Sequence, residues 1–381
     1  MSVIDQIKFD GCNLFRQRLV YALLSGRRVA ISDIRPFDEA PGIHDHEVKL
    51  IALIEKVTNG TQVDINRTGT VVQFYPGAIY GGQVDFDCGT SRCISYYLEA
   101  LVMLAPFCKA PMDITLRGVT NGPDELSVDA IRATWLPVFN KFVLNDEKLG
   151  IKIKNRGFFP DGGGLVTFTA PIVKTLRPVM RENPGKVFKI RGLSYVCKVS
   201  PSIAHRMIES ARTLLREFVK DIYITVDQRK AASGGNSPGF GLFLVAETTE
   251  GVFYHGESMS LPKDADGDQR IPEEVGQQAA MALLDELYRG GCCDISAQAL
   301  AATFITLCEK DVSKFLFGPL SVYTVNTLRN LRAFFAQTFK IDEFWKLHPE
   351  TAESEDNAGS RDKALITGVG VGYANLNKNL L

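Results

Sequence analysis

Stretches with helical apolar spacing alternate with short β-branched runs along almost the whole of this 381-residue chain, and a chain patterned that way folds as layered α/β sheets. Helical patterns fall at 12–24, where Leu14, Phe15, Leu19, Ala22 and Leu23 recur before Gly26, and again at 46–58, 94–107 and about 127–142. The third is apolar nearly throughout, so burial on all sides is expected. Pro137 is expected to kink or end the fourth. Strand patterns fall at 28–32, 63–65, 71–74 and 113–118, the second and third joined across Arg67-Thr68-Gly69.

After Pro171 the texture changes. The polar, turn-rich segment Arg181 to Lys186 reads as a hinge, followed by a strand (187–192), a helix (203–220), a strand (222–226), a glycine-rich loop (233–239) and a strand (240–247). A second polar break, Lys263 to Asp268, precedes a helix that opens with Pro272 and two acids, as the helix dipole favours. The expected architecture is α/β: a large domain of repeated α/β units formed by residues 1–183 and 273–381, interrupted by a small α/β domain at 184–272. Thr351 to Asp362 is polar and acidic and reads as a mobile loop before a last strand at 364–367.

With 43 basic and 44 acidic residues the formal net charge is -1, so a polyanion partner would have to be met by local clusters. The N-terminus lacks a signal-peptide profile and no apolar run approaches the ~20 residues that cross a bilayer, so no membrane role is expected. Eight scattered cysteines without a C-x-x-C pair read as reduced thiols, and adjacent Cys292 and Cys293 as packing residues.

Three glycine-rich turns could hold an anion on backbone amides: Asp161 to Gly164, Ser233 to Gly239 and Gly368 to Gly372. None has Walker or dinucleotide spacing, and plain structural turns explain them as well. His44-Asp45-His46-Glu47 resembles a metal cluster, but residues two apart do not share a helix face, so a solvated helix start is expected and no metal site. Basic residues gather at Arg16, Arg18, Arg27, Arg28 and Arg35, along the helix carrying His205, Arg206, Arg212, Arg216 and Lys220, and at Arg329 and Arg332. Each set reads either as a solvated face or as a track for RNA phosphates.

The decamer Asn155-Arg156-Gly157-Phe158-Phe159-Pro160-Asp161-Gly162-Gly163-Gly164 resembles the R-x-G-F-x-P-x-G-G-G motif of the RNA 3'-terminal phosphate cyclases. Leu14-Phe15-Arg16 with Leu19 and Gly26, Ile34-Arg35 with Pro41-Gly42, Tyr80-Gly81-Gly82 and Pro319-Leu320 are similar to further family motifs in the same order. The resemblance implies a large domain of three repeated α/β units around an insert. It also implies structural roles for Gly157, Pro160, Gly162, Gly163 and Gly164.

The departures concentrate where the family does chemistry. Its adenylated histidine lies in a P-L-[ST]-x-H-T segment, and here that stretch reads Pro319-Leu320-Ser321-Val322-Tyr323-Thr324. A phenol with pKa near 10 is a poor nucleophile at neutral pH. The family's G-E-G-G-G-Q loop is absent, and basic positions before Pro41-Gly42 read Asp38 and Ala40. This pattern resembles the cyclase-like branch. That resemblance implies a nuclear, nucleolar protein for 18S rRNA production in the small-subunit processome, with a ribosome-assembly GTPase and pre-rRNA as partners and no cofactor. Arg16, Arg35, Arg156, Arg329 and Arg332 are the expected RNA- or anion-binding residues. An endoribonuclease using Arg329 and Arg332 beside Tyr323 is the alternative, and a surviving ATP-dependent cyclase the third reading.

Overall fold

The computed structural model describes residues 6–376 apart from 124, 145–146, 263–269 and 348–358. One topology occurs three times. In the first unit β1 (Gln6–Asp10) leads through α1 (Phe15–Ser25) to β2 (Arg28–Ser32) and α2 (Asp45–Val57), then to β3 (Thr58–Asn59), β4 (Gln62–Ile65), β5 (Val72–Tyr75) and β6 (Ala78–Ile79). The sheet order is β1-β2-β5-β4; β3 and β6 pair separately. The second unit is β7 (Gly81–Asp87), α3 (Ile94–Leu104), β8 (Ala110–Gly118), a helical stretch, β9 (Gly150–Asn155) and β10 (Gly164–Ala170), in the order β7-β8-β10-β9. That stretch runs as α4 (Val128–Ala130), a π-turn (Ile131–Trp135) and α5 (Leu136–Val143). Pro137 lacks the N–H that an α-turn would use, and the chain widens into the π-turn just before it, so the helix continues where a stop was one expectation.

The third unit is split. Its first strand, β11 (Met180–Arg181), is followed by β12 (Val187–Cys197), α6 (Ser202–Leu215), β13 (Ile222–Arg229), β14 (Gly239–Thr248), β15 (Phe253–Met259) and α7 (Pro272–Arg289). These form their own sheet, β13-β12-β14-β15. The unit then resumes with α8 (Gln298–Leu307), β16 (Val312–Phe317), α9 (Val322–Phe335), β17 (Lys340–Glu343) and β18 (Ala364–Val369), in the order β11-β16-β18-β17. A parallel pair needs a crossover, and in each unit the first two strands are parallel. The small domain is therefore an enlargement of the third crossover.

α7 packs against α6, β14 and β15. Gly256 makes this possible, since a Cβ there would lie 2.2 Å from the Leu283 nitrogen. The expected boundary at 272 left this helix in the large domain; its packing leads us to draw the end of the insert after it, near Gly290. The polar break at 263–268 and most of the expected loop at 351–362 lie outside the described residues.

The crossover helices α1, α3 and α8 form the centre. All ten residues of α8 are buried, and every residue of α3 except Glu99. In α1 only Arg16 and Ser25 escape burial. Cys292 and Cys293 are buried, with the Cys292 thiol pushed up to about 12 by burial, which suits packing rather than redox exchange. No helix among the described residues is long and apolar enough to cross a membrane.

Candidate functional site

A charge on an otherwise buried helix must find a partner. Arg16 of α1 and Glu99 of α3 find each other as an ion pair at the mouth of a cleft of about 270 Å³. Arg16 also donates to the Tyr96 carbonyl at 3.0 Å and to the Tyr323 phenol oxygen at 3.2 Å, and its guanidinium lies 4.5 Å over the Tyr96 ring. Burial alone would lower its pKa, but Glu99 and Tyr323 more than offset this and keep it charged.

Tyr323 is held by α9. Ser321 caps that helix, its hydroxyl accepting from the Thr324 N–H at 3.0 Å. A buried polar network then fixes the helix on its neighbours. Thr324 donates to Gln298 at 2.8 Å, Gln17 donates to Thr327 at 2.8 Å, and Asn330 donates to Gln17 at 3.1 Å. Ser321→Ala is expected to cost about 1 kcal/mol of stability, seen as a lower urea midpoint at unchanged slope. Burial pushes the Tyr323 phenol above its ordinary range, against the opposing pull of Arg16. It is therefore a protonated, hydrogen-bonded group at neutral pH.

The other arginines of the cleft are likewise committed to carboxylates. Arg35 forks both terminal nitrogens onto Glu47 at 2.8 and 2.9 Å, and Glu47 also accepts from the His44 N–H. Burial alone would raise the Glu47 carboxyl, yet the Arg35 fork and that N–H hold it low. Arg92 donates to Glu125 at 2.5 Å and lies 4.8 Å over the Tyr96 ring. Arg16, Arg35 and Arg92 thus each face Glu99, Glu47 or Glu125, and the cleft is close to electrically balanced. The helix start expected at His44 to Glu47 forms, with His44 and Asp45 exposed, but it is only half solvated: Glu47 is buried, and His46 sits edge-on to Tyr96. No group of three or more metal-ligand residues gathers among the described residues.

The decamer sits elsewhere, on the loop between β9 and β10, with a cis Phe159-Pro160 peptide. Its glycines let it interlock with the turn at 233–239. A Cβ on Gly157 would lie 2.3 Å from the Gly164 nitrogen, and one on Gly235 would lie 2.4 Å from the Arg156 carbonyl. Asn236 donates its N–H to Gly162 O at 2.9 Å, and the Ser237 hydroxyl accepts from the Asp161 N–H and donates to its carboxylate. Two of the three glycine-rich turns are therefore hydrogen-bonded to one another. In the third, Gly370, Val371 and Gly372 donate to the carbonyls of Asp311, Thr306 and Cys308.

Arg156 is corrected in the same way. Expected to meet RNA, it is 1% exposed, bonded to Asp129 at 2.7 Å and Asp227 at 2.9 Å, with the Tyr195 ring 4.4 Å away. It ties the second unit to the insert. Arg206 and Arg212 on α6 are spent on Glu273 and Glu209.

Arg329 and Arg332 are exposed, and neither lines the cleft. At about 100° per residue, Arg332 stands roughly opposite Tyr323 around α9. The expected gathering of both arginines beside Tyr323 is not what the fold builds. Residues that sequence reasoning missed are Glu99, Glu47, Arg92, Glu125 and Tyr96. Glu99 carried a usable signal, as the single charge in the apolar helix pattern 94–107.

A family model described as RNA 3'-terminal phosphate cyclase matches residues 7–341. A Caenorhabditis elegans protein named as a probable RNA 3'-terminal phosphate cyclase-like protein is 59% identical over 99% of each chain. A human protein with the cyclase-like name is 47% identical over 98% of each. A Schizosaccharomyces pombe protein named as an rRNA processing protein is 35% identical over the full length of both. With the threefold sheet topology, the interlocked decamer and these full-length similarities, the chain belongs to the RNA 3'-terminal phosphate cyclase family.

Proposed function

We propose that this protein serves rRNA processing as a non-cyclase binding factor, acting in early pre-rRNA processing for the 18S rRNA in the nucleolus. Its partners are pre-rRNA within the small-subunit processome and a ribosome-assembly GTPase. The observation that carries this reading is the state of the cleft. The residue at the nucleophile position is a phenol whose proton burial retains, and each arginine around it already holds a carboxylate. An ATP phosphate entering there would have to displace Glu99, Glu47 or Glu125, so the residues do not fit adenylate transfer. The name of the fission-yeast relative supports rRNA processing as the context.

A scaffold keeps a fold while its site changes use. The exposed basic residues Arg329 and Arg332 are then candidates for contact with RNA phosphate. They stand away from Tyr323 and converge with no acid–base pair, which favours binding over cleavage.

Incubation with ATP labelled at the α-phosphate is expected to leave the wild type unlabelled, and Tyr323→His equally so, because the paired arginines remain. Covalent label on either would restore the cyclase reading. A pre-rRNA spanning the 18S 5' region should be bound and left uncut with or without magnesium. Arg329→Ala with Arg332→Ala should weaken that binding several-fold. Site-specific cutting by the wild type and not by the double variant would make the protein an endoribonuclease.

A further inference from the structure

Three parts of the molecule meet at a second cleft, of about 530 Å³, remote in sequence from Tyr323. α5 and the residue that ends it supply Asn140, Lys141 and Leu144, the strand β11 supplies Met180 and Arg181, and the turn before β15 and the first residue of that strand supply Gly251 and Phe253. Its chemistry is unlike that of the first cleft, because among the described residues its cations close no ion pair. Lys141 donates to the Gly251 carbonyl at 3.1 Å, and neither Lys141 nor Arg181 forms an ion pair with a described residue. Burial, then the nearby Arg181, pulls the Lys141 ammonium below its ordinary range. Glu250, exposed on the same turn, pulls the other way on Lys141, but no ion pair closes between them.

Two further observations define what would suit this cleft. The Asn140 side-chain oxygen is buried with no hydrogen-bond partner among the described residues, an acceptor open to an N–H or O–H. The apolar rim is mostly aliphatic: Leu144 is 59% and Met180 61% exposed, with Phe253 half-buried beside them. β11 is moreover an edge strand, paired to β16 on one side only.

We infer that this cleft docks an extended acidic peptide of a protein partner, whose carboxylates meet Lys141 and Arg181. A backbone N–H of the peptide satisfies Asn140, and aliphatic side chains cover Leu144 and Met180. An edge strand adds a peptide strand through main-chain hydrogen bonds and reads alternate side chains. Single-stranded RNA would share the charge complementarity, but it draws on aromatic stacking platforms, and this rim offers one aromatic among aliphatic groups. Because the cleft spans the second unit, the third unit and the insert hairpin, an occupant would also bridge the insert to the large domain. The inference is independent of the reading given to the Tyr323 cleft.

The test uses the full chain and a fluorescein-labelled, acetylated octapeptide alternating leucine and glutamate, followed by anisotropy. Saturable binding is expected, weakened at least tenfold in Lys141→Glu with Arg181→Glu, while the unfolding midpoint stays close to wild type. A matched octapeptide of leucine and lysine should not bind. Hydrogen exchange should show protection at Met180 and Arg181 on addition of the acidic peptide. Absence of binding, binding unchanged in the double variant, or equal binding of the lysine peptide would overturn the proposal. Tighter binding of an eight-nucleotide oligouridylate, lost in the same variant, would reassign the cleft to RNA. Pre-rRNA binding by the double variant is measured alongside, so that loss of the scaffold reading and loss of this one register separately.

Discussion

Arg156→Ala is expected to lower stability by about 3 kcal/mol, a fall in the urea midpoint of roughly 1 M or less for a chain of this size. The guanidinium is buried, and its removal takes a partner from Asp129, which is fully buried, and from Asp227, which is half-buried. Losing one member of a buried pair costs about 3–5 kcal/mol because the remaining charge is left desolvated. The lower end applies, since Asp129 keeps Arg132 and Asp227 keeps Arg229. Arg156→Lys retains charge but loses the fork that reaches both acids and the stack on Tyr195, and should recover less than half of the loss. The lesion falls on the joint between the second unit and the insert. Limited proteolysis of Arg156→Ala should therefore release the insert earlier than in the wild type. A midpoint within error of the wild type would show that the clamp contributes nothing net.

The second large effect is a loss of stability toward alkaline pH. His255 on β15 shares a proton with Asp294 at 2.7 Å, with Glu257 4.0 Å from its other ring nitrogen, and stacks on Phe243. Burial alone would depress the imidazole, but Asp294 and Glu257 lift it from 6.5 to about 9. Glu286, on α7 beside Arg289, is pushed up to about 7 by burial and by Asp294. The sign is the same for both groups, because the folded chain keeps a proton that the unfolded chain releases. The His255 contribution is complete below pH 6.5 and disappears as pH rises through 9. The Glu286 contribution fades between about 4.5 and 7. At about 1.4 kcal/mol for each pH unit, the imidazole alone contributes on the order of 3 kcal/mol. Urea midpoints should fall steadily from pH 6 to pH 9, and His255→Gln should flatten the fall above pH 6.5. Equal wild-type midpoints at the two ends would refute it.

Much of the fold was legible because periodicity reports burial. The apolar run 94–107 announced a buried helix, and the two strands expected to pair across Arg67-Thr68-Gly69 do pair, with Val63 opposite Phe74. The limit of the insert was less legible. Pro272 and its two acids mark where a helix starts and say nothing about which sheet it covers; that was decided by Gly256, a position whose lack of a side chain matters only in three dimensions. The site was legible in its centre and not in its surroundings. Tyr323 stood at a motif position. The carboxylates that neutralise the arginines sit on three separate elements, and only packing brings Glu99 to Arg16 or Glu125 to Arg92. Arg156 misled for the same reason, because a motif arginine reads identically whether it meets phosphate or two buried acids. Arg329 and Arg332 share a face at three-residue spacing, but that spacing does not say which way the face points.

The insertion within the third crossover also bears on how the chain is made. Met180 of β11 pairs with Lys314 of β16, so the strand waits for its neighbour while the whole insert is synthesised. At ribosomal speeds that interval is on the order of ten seconds, long compared with the collapse of a domain. The first two units can close their sheets meanwhile. Phe139 and Phe142, however, are destined to meet Phe304 of α8, and they stay uncovered until α8 emerges. A nascent chain of this design presents an uncovered, half-built aromatic wall for many seconds before its own last unit can close over it.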